Sequence, residues 1–172
     1  MFDDTFYYEV TALSGNAMLY RKDCVDHPFP KRYFAYAEDV FFNFYLLSLG
    51  YTLALCPQSL VHHYGSGSFG KTPSDFKLFY GNRNQIVNFL VFYNVSTIIK
   101  LFPLFLLTQV AHLFVNVPFK RIKAKIQARI WIFRNRNKVK MLRKNVQSQK
   151  KISDKLLICQ LSTDMVNTYV TE

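Results

Sequence analysis

Acid is what this sequence runs short of. It carries 11 aspartates and glutamates against 22 lysines and arginines, and no acid falls between Phe76 and Ser153. A stretch that cationic disfavours a positively charged partner and points to an anionic surface. Cysteine is scarce too: Cys24, Cys56 and Cys159 stand far apart, with no CxxC among them. That excludes a disulfide framework and a cysteine zinc site, and suggests reduced thiols in a cytosolic setting. MFDDTFYYEV has neither a basic n-region nor an apolar h-region, so no signal peptide is expected. Long apolar runs are also missing. The greasiest, Leu101 to Val115, already contains Pro103, Gln109 and His112. At about 1.5 Å per residue it falls short of the roughly 30 Å hydrocarbon core of a bilayer.

What is present is apolar and aromatic. Half of the 172 residues are hydrophobic and 17% are aromatic, enough for a core and too many for a disordered chain. The first 75 residues are nearly balanced in charge, and most of the cations lie beyond them. EVTALSGNAMLY, from Glu9, reads as a strand, a tight break at Ser14-Gly15-Asn16 and a second short element. His27-Pro28 and Phe29-Pro30 exclude helix from the connection that follows. From Glu38, apolar residues fall at helical spacing up to Gly50, a natural C-cap. Thr52 to Cys56 reads as a short buried strand stopped by Pro57, Ser59 to His63 as another extended stretch, and Phe76 to Tyr93 as a helix. This βαβ-like alternation predicts an α/β architecture.

The chemistry-bearing residues sit in YFAYAEDVFFNFYLLSLGYTLALCPQSLVHH, from Tyr33 to His63. Glu38 and Asp39 lie in an apolar and aromatic run, and His62 and His63 end a short apolar segment. Carboxylates in apolar surroundings are costly unless hydrogen-bonded or chemically employed. Carboxylate with histidine is also the vocabulary of metal sites and acid–base catalysis. Spacing alone is met equally well by an acid pair at a helix N-terminus and two surface histidines.

Four stretches taken together, ALSGNAMLYRKD, FPKRYFAYAED, GYTLALCPQSLVHHYGSGS and FYGNRN, resemble family 2 glycosyltransferases. The match is to the C-terminal half of their GT-A catalytic domain and covers residues 1–94. The resemblance implies an inverting transfer of sugar from a nucleotide-sugar donor to a lipid-linked or membrane-proximal glycan acceptor. Asp39 would be the catalytic base, with Glu38 orienting the acceptor or Asp39 itself. His62 would approach a divalent cation, Mg²⁺ or Mn²⁺, that neutralises the leaving diphosphate. Gly15, Asn16, Arg83 and Asn84 would contact substrate, Arg83 meeting phosphate oxygens. Two positions depart from the family: Pro30 stands where an Asp is frequent, and Phe41 where a further Asp follows the acid pair. The family's nucleotide-binding half with its Asp-x-Asp motif has no counterpart here, since Asp3-Asp4 lacks the spacing. A fragment, or one half of a split enzyme inactive alone, is the expectation. A non-catalytic membrane-associated remnant or partner subunit is the alternative.

Residues 95–117 are expected to form a hydrophobic re-entrant or interfacial segment, bent near Pro103 and the Gln109–His112 stretch. Residues 118–151 read as a basic amphipathic helix, with Ile122, Ile126, Ile130 and Phe133 on one face. Residues 152–172 carry no readable signal. Nucleotide sugars are cytosolic, and lysine–arginine clusters stay on that side and bind anionic lipid. The chain is therefore expected on the cytoplasmic face of an anionic membrane. Nucleic acid is not expected as a partner, because the cations interleave with isoleucine beside a greasy segment.

Overall fold

The computed structural model describes residues 7–25, 29–31, 33–63, 74–114 and 122–159. They divide into two compact units, one drawn from 1–30, 38–63 and 149–172, the other from 31–37 and 64–148.

The first unit holds β1 (Tyr8–Val10), α1 (Glu38–Ser48) and β2 (Leu53–Leu55). α1 begins where the acids Glu38 and Asp39 suit the positive end of the helix dipole. It ends in a Schellman arrangement: Gly50 N–H bonds to the Leu47 carbonyl at 2.9 Å, and Tyr51 N–H to the Leu46 carbonyl at 3.1 Å. Gly50 takes φ +85°, which only glycine adopts without strain, so the expected C-cap is present. Phe41, Phe42, Leu46 and Leu47 are buried along α1. β1 and β2 pair antiparallel, Tyr8 opposite Leu55 and Val10 opposite Leu53.

The predicted α/β alternation needs correcting here. Among the described residues the sheet has two strands only, and helix dominates. The segment after Asn16 forms no second strand, and Ser59 to His63 has no ladder partner that would make it one. Strands this short bury little area alone, so local extended propensity is not converted into sheet.

Of the segment with no readable signal, 152–172, residues 152–159 are described, and they follow a stretch that packs on α1. Lys151 N–H bonds to the Ser48 carbonyl at 2.8 Å, closing off the C-terminal turn of α1. Tyr45 Oη donates to Gln149 Oε1 at 2.7 Å. Leu157 is fully buried on a short helical stretch over 154–159. The Lys150 ammonium and the Asp154 carboxylate pair one turn apart, with side chains only 5% and 7% exposed.

The second unit holds α2 (Asp75–Phe92), α3 (Val95–Phe114), α4 (Ile122–Arg134) and α5 (Arg136–Gln149), the last as far as Ser148. Ser74 caps α2, its hydroxyl accepting from Lys77 N–H at 3.1 Å. α2 packs on α4, where the small buried residues Ala124 and Ala128 lie one turn apart. Val91 and Phe92 at the end of α2 are fully buried. α5 is tied to that end by Arg143, which donates to the Leu90 carbonyl, and by Gln147 Nε2 to the Val91 carbonyl at 2.7 Å.

Two expectations change in this unit. Residues 95–114 form one continuous helix with Pro103 inside it, and no bend at 109–112 turns them into a hairpin. No helix of the described residues is long and apolar enough to cross a membrane. The basic stretch is two helices, parted at Asn135. Asn135 sends its side-chain amide to the Trp131 carbonyl at 2.9 Å, and its backbone N–H to the same oxygen at 2.9 Å. A side chain competing for a helical carbonyl in this way weakens the ladder where α4 gives way to α5.

Candidate functional site: a glycine–aspartate contact and a clamped loop

In the first unit, the turn at Gly15-Asn16 and the start of α1 meet. Asp39 Oδ2 accepts from the Gly15 backbone N–H at 3.1 Å across 24 residues of chain. Asp39 Oδ1 accepts from Val40 N–H at 2.8 Å. A Cβ at position 15 would lie 3.2 Å from Asp39 Cβ, tighter than ordinary packing, so a larger residue there would press the Asp39 side chain aside by a few tenths of an ångström. Two stretches singled out by sequence are thus one local structure. Asn16 is exposed beside them.

Glu38 is half-buried, and its Oε2 is shielded from water with no hydrogen-bond donor among the described residues. An unpaired buried acceptor costs about 1–3 kcal/mol. A hydroxyl-bearing ligand is one group that would relieve it.

His62 and His63 are exposed. No group of three or more histidine, cysteine, aspartate or glutamate side chains gathers anywhere among the described residues. His62 therefore offers at most a single ligand, and these residues do not assemble a divalent-cation site by themselves.

The same unit contains a cavity of ≈ 350 Å³, within the ~300–1,000 Å³ range of small-molecule pockets. Leu13, Tyr20, Phe42, Leu46 and Leu53 supply its apolar wall, Arg21 and Thr52 line it too, and Asn43 is the buried polar group among them. Asn43 Nδ2 donates to the Leu13 carbonyl at 2.7 Å, which fixes the orientation of the amide. Asn43 Oδ1 has no donor among the described residues. Asn43 was not among the predicted site residues. Its sequence signal is a lone amide inside FFNFYLL, where polarity interrupts an apolar face.

Arg83 and Asn84 lie in the second unit, and the role expected of them as substrate contacts does not match their placement. Arg83 is 4% exposed, its guanidinium carbon 4.5 Å from the Tyr80 ring centre and 4.6 Å from that of Trp131. Its Nη2 donates to the Tyr33 carbonyl and its Nε to Asn84 Oδ1, both at 2.9 Å. Burial lowers its pKa from the ordinary arginine value. The adjoining cavity is only ≈ 20 Å³, room for about one water and not for a diphosphate.

What Arg83 and Asn84 hold is backbone. Phe34, Tyr36 and Ala37 have φ of 60°, 62° and 59°, the left-handed region that non-glycine residues seldom occupy. Asn84 Nδ2 faces the carbonyls of Tyr33, Ala35 and Tyr36 at 3.1, 3.0 and 2.6 Å. Tyr33 Oη donates to Asn88 Oδ1 at 2.5 Å. Each such backbone costs of order 1–3 kcal/mol and persists only where the surroundings over-determine it. This loop continues along the chain directly into Glu38.

No protein-family model matches this chain, and no curated protein or solved structure matches it either.

Proposed function

We propose that the chain is the acceptor-side half of an inverting family 2-like glycosyltransferase. It would work at the cytoplasmic face of a membrane on a glycan or lipid-linked acceptor. The observation that carries this reading is the Gly15–Asp39 contact, because it joins two of the motifs on which the resemblance rests. In this reading the acceptor hydroxyl oxygen attacks the anomeric carbon of a nucleotide sugar. Its proton passes to Asp39 as the nucleoside diphosphate leaves from the opposite side of the ring, inverting the centre. Glu38 accepts a hydrogen bond from the acceptor and holds it in line. Gly15 N–H holds Asp39 Oδ2 and Val40 N–H holds Oδ1; these bonds orient the carboxylate, and a remaining lone pair takes the proton. Arg83 and Asn84 serve in this reading by holding the backbone of residues 33–37 within the second unit, in place of the substrate contact that the resemblance implies.

The test supplies a nucleotide-binding half from a related transferase, with Mg²⁺ or Mn²⁺ present as the resemblance implies. The chain alone should show no turnover, and the pair should transfer sugar. Asp39→Asn keeps the shape but cannot accept a proton, and should lower turnover by roughly 10²- to 10⁴-fold with donor binding unchanged. Near wild-type turnover by a folded Asp39→Asn protein would remove Asp39 as the base. A second reading, a non-catalytic partner subunit, is favoured by the two-stranded sheet and the interior placement of Arg83. Absence of transfer by the wild-type pair would select it.

A further inference from the structure

α3 departs from the usual pattern of a surface helix. Its inner stripe, Ile98, Leu101, Phe105 and Gln109, is partly covered. Phe105 stacks on Phe89 of α2 with ring centres 4.0 Å apart and planes 7° from parallel. Gln109 Oε1 accepts from Arg129 Nη2 of α4 at 3.0 Å. The outer stripe follows i, i+4, i+7, i+11 and i+15: Val95, Ile99, Phe102, Leu106 and Val110, exposed by 61, 67, 50, 50 and 47%. Polar residues normally occupy that face of a surface helix. Here both faces are apolar, and among the described residues only one has protein against it. α4 repeats the feature on a smaller scale, with Ile126, Ile130 and Phe133 exposed at i, i+4 and i+7.

Charge decides what covers such a face. Lys123, Arg134, Arg136, Lys138, Lys140 and Lys144 are exposed on α4 and α5, and no acid lies between residues 76 and 153 to offset them. A second copy of the chain would bring the same positive field against itself, so self-association through this unit works against Coulomb repulsion. A negatively charged surface with an apolar interior answers both features.

We infer that α3 lies in the plane of an anionic bilayer interface, its outer stripe among the acyl chains and the α4–α5 cations at the headgroups. Lys100, exposed on α3, can extend its ammonium to the headgroup level. This inference deepens the membrane placement in the proposed function, is argued from α3 and from charge, and is tested by binding rather than by sugar transfer.

The test is flotation of the full chain with vesicles of phosphatidylcholine, alone or with added phosphatidylglycerol. The wild type should bind the anionic vesicles at least ~10-fold more tightly than the neutral ones, and salt should loosen binding only in part, since apolar burial is not screened. Phe102→Glu/Leu106→Glu changes two exposed side chains, so the fold should persist, as circular dichroism and Trp131 fluorescence would report. That variant should bind about 10-fold or more weakly. Failure of the wild type to float, undiminished binding by the double variant, or complete release by salt would each overturn the in-plane placement. So would a concentration-dependent dimer dissolved by the same double variant, which would make a second copy the occupant. None of these outcomes touches transfer to a soluble acceptor in the reconstituted enzyme, so the two readings fail separately.

Discussion

Replacing Asn84 with alanine should destabilise the second unit by about 3–4 kcal/mol. The Asn84 amide carries two protons and faces three carbonyls, at 2.6, 3.0 and 3.1 Å, so it counts as two good bonds shared three ways. At about 1 kcal/mol net each, those bonds contribute roughly 2 kcal/mol. Asn84 Oδ1 also accepts from Arg83 Nε at 2.9 Å, a charge-assisted bond of about 1.5–3 kcal/mol. Some of the loss is returned, because Phe34, Tyr36 and Ala37 can relax from the left-handed region once unclamped. Asn84→Asp is the sharper companion. It keeps the volume and the contact with Arg83, yet sets a carboxylate oxygen against the three carbonyls, and should destabilise at least as much. Trp131 is the only tryptophan and packs on Arg83, so urea unfolding followed by its fluorescence reads this unit directly. A drop below about 1 kcal/mol for Asn84→Ala, or a neutral Asn84→Asp, would refute the clamp.

Two further perturbations probe the interior. Tyr33 is 2% exposed, and burial pushes its phenol pKa well above the usual tyrosine range. The unfolded phenol then ionises first, near pH 10, and holds fewer protons than the folded one, so stability falls as pH rises beyond that value, by up to about 1.4 kcal/mol per pH unit. Tyr33→Phe should flatten that slope in alkaline urea titrations while losing about 1 kcal/mol at neutral pH with the Asn88 bond; an unchanged slope would exclude Tyr33 as its source. Asp154→Ala should cost about 3–5 kcal/mol by taking the carboxylate away from the buried Lys150 ammonium, whereas Lys150→Met/Asp154→Leu should be near neutral. Thermal melts that rank the double variant below the single one would show that the pair stabilises beyond satisfying its own charges.

Local features were legible because their causes are local. The helix from Glu38, its stop at Gly50, the β2 strand before Pro57 and the α2 helix after Ser74 follow from residue spacing, a glycine at positive φ and a serine cap. The acid-free stretch from Phe76 to Ser153 is a property of composition and needs no structure to be seen. Tertiary structure alone decided how these pieces are used. Antiparallel pairing of Tyr8–Val10 with Leu53–Leu55 depends on which backbone groups meet, which strand propensity does not encode. Arg83 reads as a phosphate ligand in FYGNRN. Whether a guanidinium meets solvent or a carbonyl depends on what packs around it, and here the Tyr80 and Trp131 rings enclose it. Asn84 as a loop clamp, Leu157 as core and the outer stripe of α3 as surface that no described residue covers are likewise outcomes of packing between segments far apart in the chain. The sequence says which side chains are apolar or charged, and only the folded chain decides which of them neighbours cover.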